Sequence, residues 1–187
     1  MRQDVDGPST PGQVLVGFFQ DASSLALGTT PVRAALLKRR EDLLSTEIAK
    51  FVKDRPVAHI RRGDYATVQA ARNTFGSIRP QYYGEAFDLL DHKLHDAAFF
   101  TDDPAYVKET FGVPERQIFG PGSTKSDLES LLVMSMGQAL VIPNSTFSWW
   151  AAELLEPSQG VVSPQEWFRD RRNEHNLARD HWKRVPN

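Results

Sequence analysis

Cysteine is absent from the 187-residue chain, which excludes a disulfide framework and any thiolate metal site. Charge of one sign is also scarce: 22 Lys and Arg stand against 24 Asp and Glu, for a net charge of −2. Such a balance offers no broad attraction to nucleic acid or to an acidic membrane surface, so an anionic ligand must be met by a local cluster of donors. Apolar runs are short throughout, none approaching the length of a membrane span, and the first residues carry no leader of the secretory kind. The expectation is a soluble cytoplasmic protein, working beside a membrane if its products are assembled there. What the chain does have is the ordinary mixture of a globular domain, 40% hydrophobic and 25% charged residues, long enough to bury a core.

Residues 1–13, rich in Pro, Gly, Ser and Asp, read as a linker or disordered start. From Val14 to Phe168 short apolar runs alternate with helical patterns. Val14–Phe19 reads as a buried strand. Val32, Leu36, Leu37, Leu43, Leu44, Ile48, Phe51 and Val52 lie at helical spacing, as one long amphipathic helix or a broken pair. Val57 to Arg62 is a strand, residues 66–79 an active-site loop, and Tyr82 to Leu90 a helix. Ala97–Phe100 is a strand, and Thr101-Asp102-Asp103-Pro104 has the residue types that open a helix, with Gly112 to stop it. Gln117–Phe119 is a short strand; Ser126-Asp127-Leu128-Glu129 has the spacing of a capping box. Ala139–Ile142 is a strand, Phe147–Leu155 a helix, and Val161–Val162 a last strand. The run 169–187, charged with Trp182 alone, reads as a solvated helix or tail. The alternation predicts an α/β fold, a Rossmann-like parallel sheet with helices on both faces.

Three stretches carry chemistry. His59-Ile60-Arg61-Arg62-Gly63-Asp64 delivers polar groups to a strand's carboxyl end, where ligands sit in open α/β sheets. Arginine presents a planar fork of donors suited to phosphate. Alternation puts His59 and Arg61 on one face, toward a ligand, and Arg62 on the other, as a brace. The plainer alternative is an Arg–Asp ion pair at a surface. Asp64 orients Arg62 or acts as a base. Thr101-Asp102-Asp103 offers paired carboxylates after a strand, against the alternative that they only cap a helix; the chain's other histidines form no ligand set with them, and no metal is expected. Asn144-Ser145-Thr146-Phe147-Ser148 stands before a helix, and a helix amino terminus attracts anions through its free N–H groups and dipole. An ordinary N-cap over core tryptophans accounts for the same residues.

Together, His59-Ile60-Arg61-Arg62-Gly63-Asp64-Tyr65, Phe100-Thr101-Asp102-Asp103, Asp127-Leu128 with Met134-Ser135, and Asn144 to Ala152 resemble the motif set of the α-1,2-fucosyltransferases of glycosyltransferase family 11, in family order. The resemblance runs from Val14 to about Phe168. It implies the equivalent of the C-terminal, donor-binding half of a GT-B-type glycosyltransferase. GDP-fucose is then the donor and a galactoside glycan the acceptor, with transfer inverting and metal-independent and no cofactor beyond the donor itself. His59 and Arg61 would contact the diphosphate, Asp127 the guanine edge, and Ser145 and Thr146 the phosphates, with Asp102, Asn144 and Phe147 in the same donor set. Arg61, His59 and Asp64 are the catalytic candidates. The family's glycine-rich amino-terminal domain has no counterpart in the sequence, so the chain resembles the donor half alone. That leaves an alternative: a non-catalytic GDP-sugar-binding module or remnant that acts with a partner chain. In either case a partner chain, or self-association through the uncovered domain face, is expected.

Overall fold

Short apolar runs separated by helices can satisfy their backbone only by pairing side by side, and their all-apolar composition requires cover on both faces. The computed structural model, which describes residues 33–63, 67–169 and 177–187, shows that arrangement. Helices α1 (33–41) and α2 (Glu47–Val52) precede strand β1 (Pro56–Ile60). Then come α3 (Gln69–Phe75), α4 (Pro80–Leu89), β2 (Ala98–Thr101), α5 (Pro104–Phe111) and β3 (Ile118–Phe119). The second half holds α6 (Asp127–Met134), β4 (Ala139–Val141), α7 (Thr146–Leu154), β5 (Gly160–Pro164) and β6 (Lys183–Val185). The six strands form one sheet in the order β3-β2-β1-β4-β5-β6, and every neighbouring pair is parallel. The chain builds outward from β1 in one direction, then returns to β1's other edge with β4. Strand order thus reverses between β1 and β4, where Ala58 pairs with both Phe99 and Val141.

Alternation within each strand divides the core in two. Val57, Phe100, Leu140 and Trp149 belong to one cluster, while Ala58, Ile60, Phe99, Val141 and Val162 belong to the other, with Tyr82 and Phe87 of α4. Tyr82 donates its hydroxyl to the Ile142 carbonyl at 2.6 Å and Tyr83 donates to the His59 carbonyl at 3.1 Å. One helix therefore secures the carboxyl ends of β1 and β4 together. Arg40, reaching from α1, donates to the Ser135 carbonyl at 3.2 Å and the Leu154 carbonyl at 2.9 Å, and pairs with Glu156 at 2.7 Å. It satisfies carbonyls that α6 and α7 leave open at their carboxyl ends.

Local signals behave as their chemistry requires. Asp103 caps α5 by accepting from the Tyr106 N–H, and Gly112 closes it at φ 62°, a conformation glycine adopts without penalty. Ser126 accepts from the Glu129 N–H at 3.2 Å, while the Glu129 carboxylate reaches back one residue further than expected, to the Lys125 N–H at 3.0 Å. The described part of the amphipathic segment, 33–52, is a broken pair, because Thr46 starts a new helix by accepting from the Ala49 N–H.

Two expectations are corrected. Residues 66–79, read as a loop, contain helix α3, whose described side chains are largely solvent-facing until Phe75; an exposed helix carries no apolar stripe to announce it. The run 169–187, read as a solvated helix or tail beyond a domain ending at Phe168, contributes the sixth strand. β6 pairs Lys183, Arg184 and Val185 with Val162, Ser163 and Pro164, and Leu177, Trp182 and Val185 are buried. Lysine and arginine on an edge strand discourage pairing with other chains, and the same residues hide the strand in the sequence. The expected strand Val14–Phe19 and the residues before it lie outside the described residues. No described helix is long and apolar enough to cross a membrane.

Candidate functional site

A parallel sheet aims every strand's carboxyl end the same way, and where strand order reverses the loops part and leave a crevice. Here a cavity of about 710 Å³ opens over those ends, a size suited to a small-molecule ligand.

β1 brings His59 and Arg61 to the centre of this cavity. His59 is 5% exposed, its ring 5.5 Å from that of Phe147, and its Nδ1 makes no hydrogen bond among the described residues. Burial, helped by the neighbouring Arg61 charge, pushes its pKa down from 6.5 to about 3, so the imidazole is neutral at physiological pH. Because the unfolded chain binds a proton near pH 6.5 and the folded one does not, stability falls as pH drops from about 6.5 toward 3. Between pH 8 and pH 5, urea unfolding of the unaltered chain is expected to lose about 2 kcal/mol more than that of a His59→Gln variant. Parallel pH profiles would show instead that the imidazole is solvated.

The two arginines have different partners. Arg61, 39% exposed on the cavity wall, places Nη1 2.9 Å from Asp102 Oδ2. Asp102 Oδ1 accepts from the Arg62 backbone N–H at 2.8 Å, and Gly63 makes room, since a β-carbon there would lie 2.7 Å from Asp102 Oδ2. Arg62 bonds Asp103 through Nε at 3.1 Å and lies 3.7 Å above the Tyr106 ring. The Thr101 hydroxyl accepts from the Asp103 N–H at 3.0 Å. The end of β2 therefore clamps the end of β1, with Arg62 pinned outside the cavity lining and Arg61 left on it. Asp64 lies outside the described residues.

β4 supplies the facing wall. Ser145, Thr146 and Phe147 line the cavity, and α7 begins at Thr146 with no side chain capping it, so its first-turn N–H groups bring partial positive charge to the site. Asn144 lines the cavity too, but its buried amide donates to the backbone carbonyls of Phe75 at 2.6 Å and Trp167 at 3.0 Å. Toward β3, Gly120-Pro121-Gly122 turns the chain, Gly122 at φ 86°, and Asp127 stands exposed in the first turn of α6 on the cavity rim.

His59, Arg61, Asp102, Asp127, Asn144, Ser145, Thr146 and Phe147 thus line one cavity, although His59 and Phe147 are far apart in sequence; Arg62, Asp103 and Ser148 do not line it. Sequence reasoning missed Phe75, Phe119, Trp167 and Phe168, which line it as well; they come from an unannounced helix, a two-residue strand and a loop, none of which marks its aromatics as ligand-facing. Among the described residues no group of three His, Asp or Glu side chains could hold a metal ion; Asp102 and Asp103 face Arg61 and Arg62, which follow β1.

Residues 32–185 match the family model described as Glycosyl transferase family 11. The curated relatives include the O-antigen biosynthesis glycosyltransferase WbnK of Escherichia coli, 30% identical over 183 residues, covering 91% of this chain and 60% of that protein. Another is an alpha-1,2-colitosyltransferase of Escherichia coli, 25% identical over a 191-residue alignment, covering 97% of this chain and 65% of that protein. The chain spans about 60–65% of the length of these relatives. No solved structure matches it.

Proposed function

Because the chain belongs to glycosyl transferase family 11, we propose that it binds GDP-fucose across the strand ends and carries the donor side of an inverting transfer of fucose to a galactose-containing acceptor. One observation carries this reading. Arg61 from β1 and the uncapped start of α7 after β4 converge on a single cavity at the reversal of strand order, a ready seat for a diphosphate. Asp127, toward β3 in the same cavity, is the acceptor for the guanine edge. The choice of fucose follows the motif set around His59, Asp102, Asp127 and Asn144.

Chemically, the bond between the sugar's C1 and the β-phosphate oxygen breaks as an acceptor hydroxyl attacks from the opposite face. Negative charge grows on the departing diphosphate. Arg61 and the α7 N–H groups lie ready for it, so little reorganisation is needed when the charge appears, and this fixed electrostatic support is the largest contribution the site makes. It requires no metal. The neutral His59 adds a polar contact without altering the charge balance. The attacking hydroxyl loses its proton late; since Asp102 and Asp103 are engaged by Arg61 and Arg62, Asp64 is the candidate base.

GDP at about 100 times its Kd should stabilise the chain by about 2.7 kcal/mol, a rise in Tm of roughly 5–10 °C for a domain this size, and GDP-fucose should act similarly. Absence of any shift with either compound would sink the proposal. Fucose transfer to lactose by the purified chain tests the chemical step separately; binding without transfer would leave a donor-binding module.

A further inference from the structure

The cavity is chemically lopsided. Its charged lining residues stand just after β1 (Arg61), just after β2 (Asp102), or between β3 and the first turn of α6 (Lys125 and Asp127). Toward β5 the described lining is Phe75, Trp167 and Phe168. Phe75 and Phe168 are half-buried, with ring centroids 5.6 Å apart and planes inclined at 37°, which makes a shallow cup of two ring faces. Trp167 is 4% exposed and lies behind them as core. The cup is tied to the diphosphate side of the site: the Asn144 amide bonds the backbone of both Phe75 and Trp167, and Arg169 N–H donates to the Thr74 carbonyl at 2.9 Å. Side chains that could have exposed polar atoms here expose aromatic carbon instead.

Position says what the cup would hold. From β3 to β5 the sheet takes four strand steps, roughly 19 Å at the usual strand spacing, enough for an extended nucleotide sugar laid across the strand ends. With the base toward Asp127 and the diphosphate at Arg61 and α7, the group that reaches the β5 side is the sugar beyond the β-phosphate. That sugar carries no charge, and a 6-deoxyhexose presents a methyl group and a face of C–H bonds suited to aromatic rings.

We propose that Phe75 and Phe168, backed by Trp167, are the donor-sugar subsite, taking the 6-deoxyhexose by its methyl group and C–H face. The assignment rests on the nucleotide-sugar reading above, and the test separates the two. Calorimetry gives the Kd of GDP and of GDP-fucose for the unaltered chain and for Phe75→Ala, Phe168→Ala and the milder Phe168→Leu. The expected result is that the alanine variants keep the Kd for GDP within twofold but shift the ratio of the two constants against GDP-fucose by about three- to tenfold, with Phe168→Leu in between. An unchanged ratio in the presence of normal GDP binding overturns the subsite alone. Loss of GDP and GDP-fucose affinity together in all three variants overturns it too, since the wall would then support the whole cavity rather than the sugar. Failure of the unaltered chain to bind GDP overturns the nucleotide-sugar reading itself, and the subsite with it.

Discussion

Replacing Arg61 by alanine is expected to weaken GDP binding by about 30- to 150-fold, because charge-assisted hydrogen bonds from a guanidinium to a diphosphate contribute about 2–3 kcal/mol. The loss should be concentrated on the phosphates. Guanosine, which lacks them, should bind the variant and the unaltered chain alike, while GDP should not. Arg61→Lys keeps the charge but not the planar fork, and should recover only part of the affinity. Folding should be little affected, since Arg61 is 39% exposed and Asp102 keeps its bond from the Arg62 N–H. A titration in which Arg61→Ala binds GDP as well as the unaltered chain would place the diphosphate elsewhere and remove the centre of the proposed site.

The largest stability effect is expected at Trp149, the fourth residue of the helix that begins at the site. Trp149 is fully buried, its ring packs edge-on against Trp150 and Trp182 at 5.1 and 6.2 Å, and its Nε1–H donates to the Leu177 carbonyl. Trp149→Ala should cost about 3–5 kcal/mol, lowering Tm by roughly 10–15 °C. Trp149→Phe keeps most of the ring contact but loses the donor, for a loss of about 1–2 kcal/mol. Since Leu177 and Trp182 lead into β6, amide exchange in residues 177–185 should accelerate with the alanine variant before exchange in β1 does. A change in stability below about 1 kcal/mol would contradict the packing described.

How much could be read from the sequence depended on whether a residue's surroundings are local. β1, β2 and β4 are buried on both faces and so announce themselves as apolar runs, interrupted only by His59 in β1 and ended by Thr101 in β2. Asp103, Gly112 and Ser126 act within a few residues of where they stand, and their chemistry names their position. β6 fails both conditions: two of its three residues are basic and exposed, and it exists only because β5 offers it an edge. The exposed helix α3 likewise needs no apolar stripe. In the site, His59, Arg61, Asp102, Ser145 and Thr146 stand out in the sequence as polar residues directly after a strand or before a helix, although helix capping accounts for some of them equally well; Asp127 stands out only through the resemblance to the family's motif set, since its own surroundings read as a capping box. Phe75, Trp167 and Phe168 do not stand out, because an aromatic side chain in a sequence looks the same whether it faces a core or a ligand.

Arg40 has a consequence far from where it sits. Helices α6 and α7 both start at the cavity, one with Asp127 and the other with Thr146, and a single guanidinium on the opposite side holds the carbonyl of Ser135 just past the end of one and of Leu154 at the end of the other. The pair works like a caliper whose joint lies at the far end from the cavity: core packing of Leu132 and Met134 with Trp149 and Ala151 aligns the arms, and one side chain ties their ends together. Under the proposed donor reading, the spacing between the two helix starts would be the span between a base held at Asp127 and phosphates held at the start of α7.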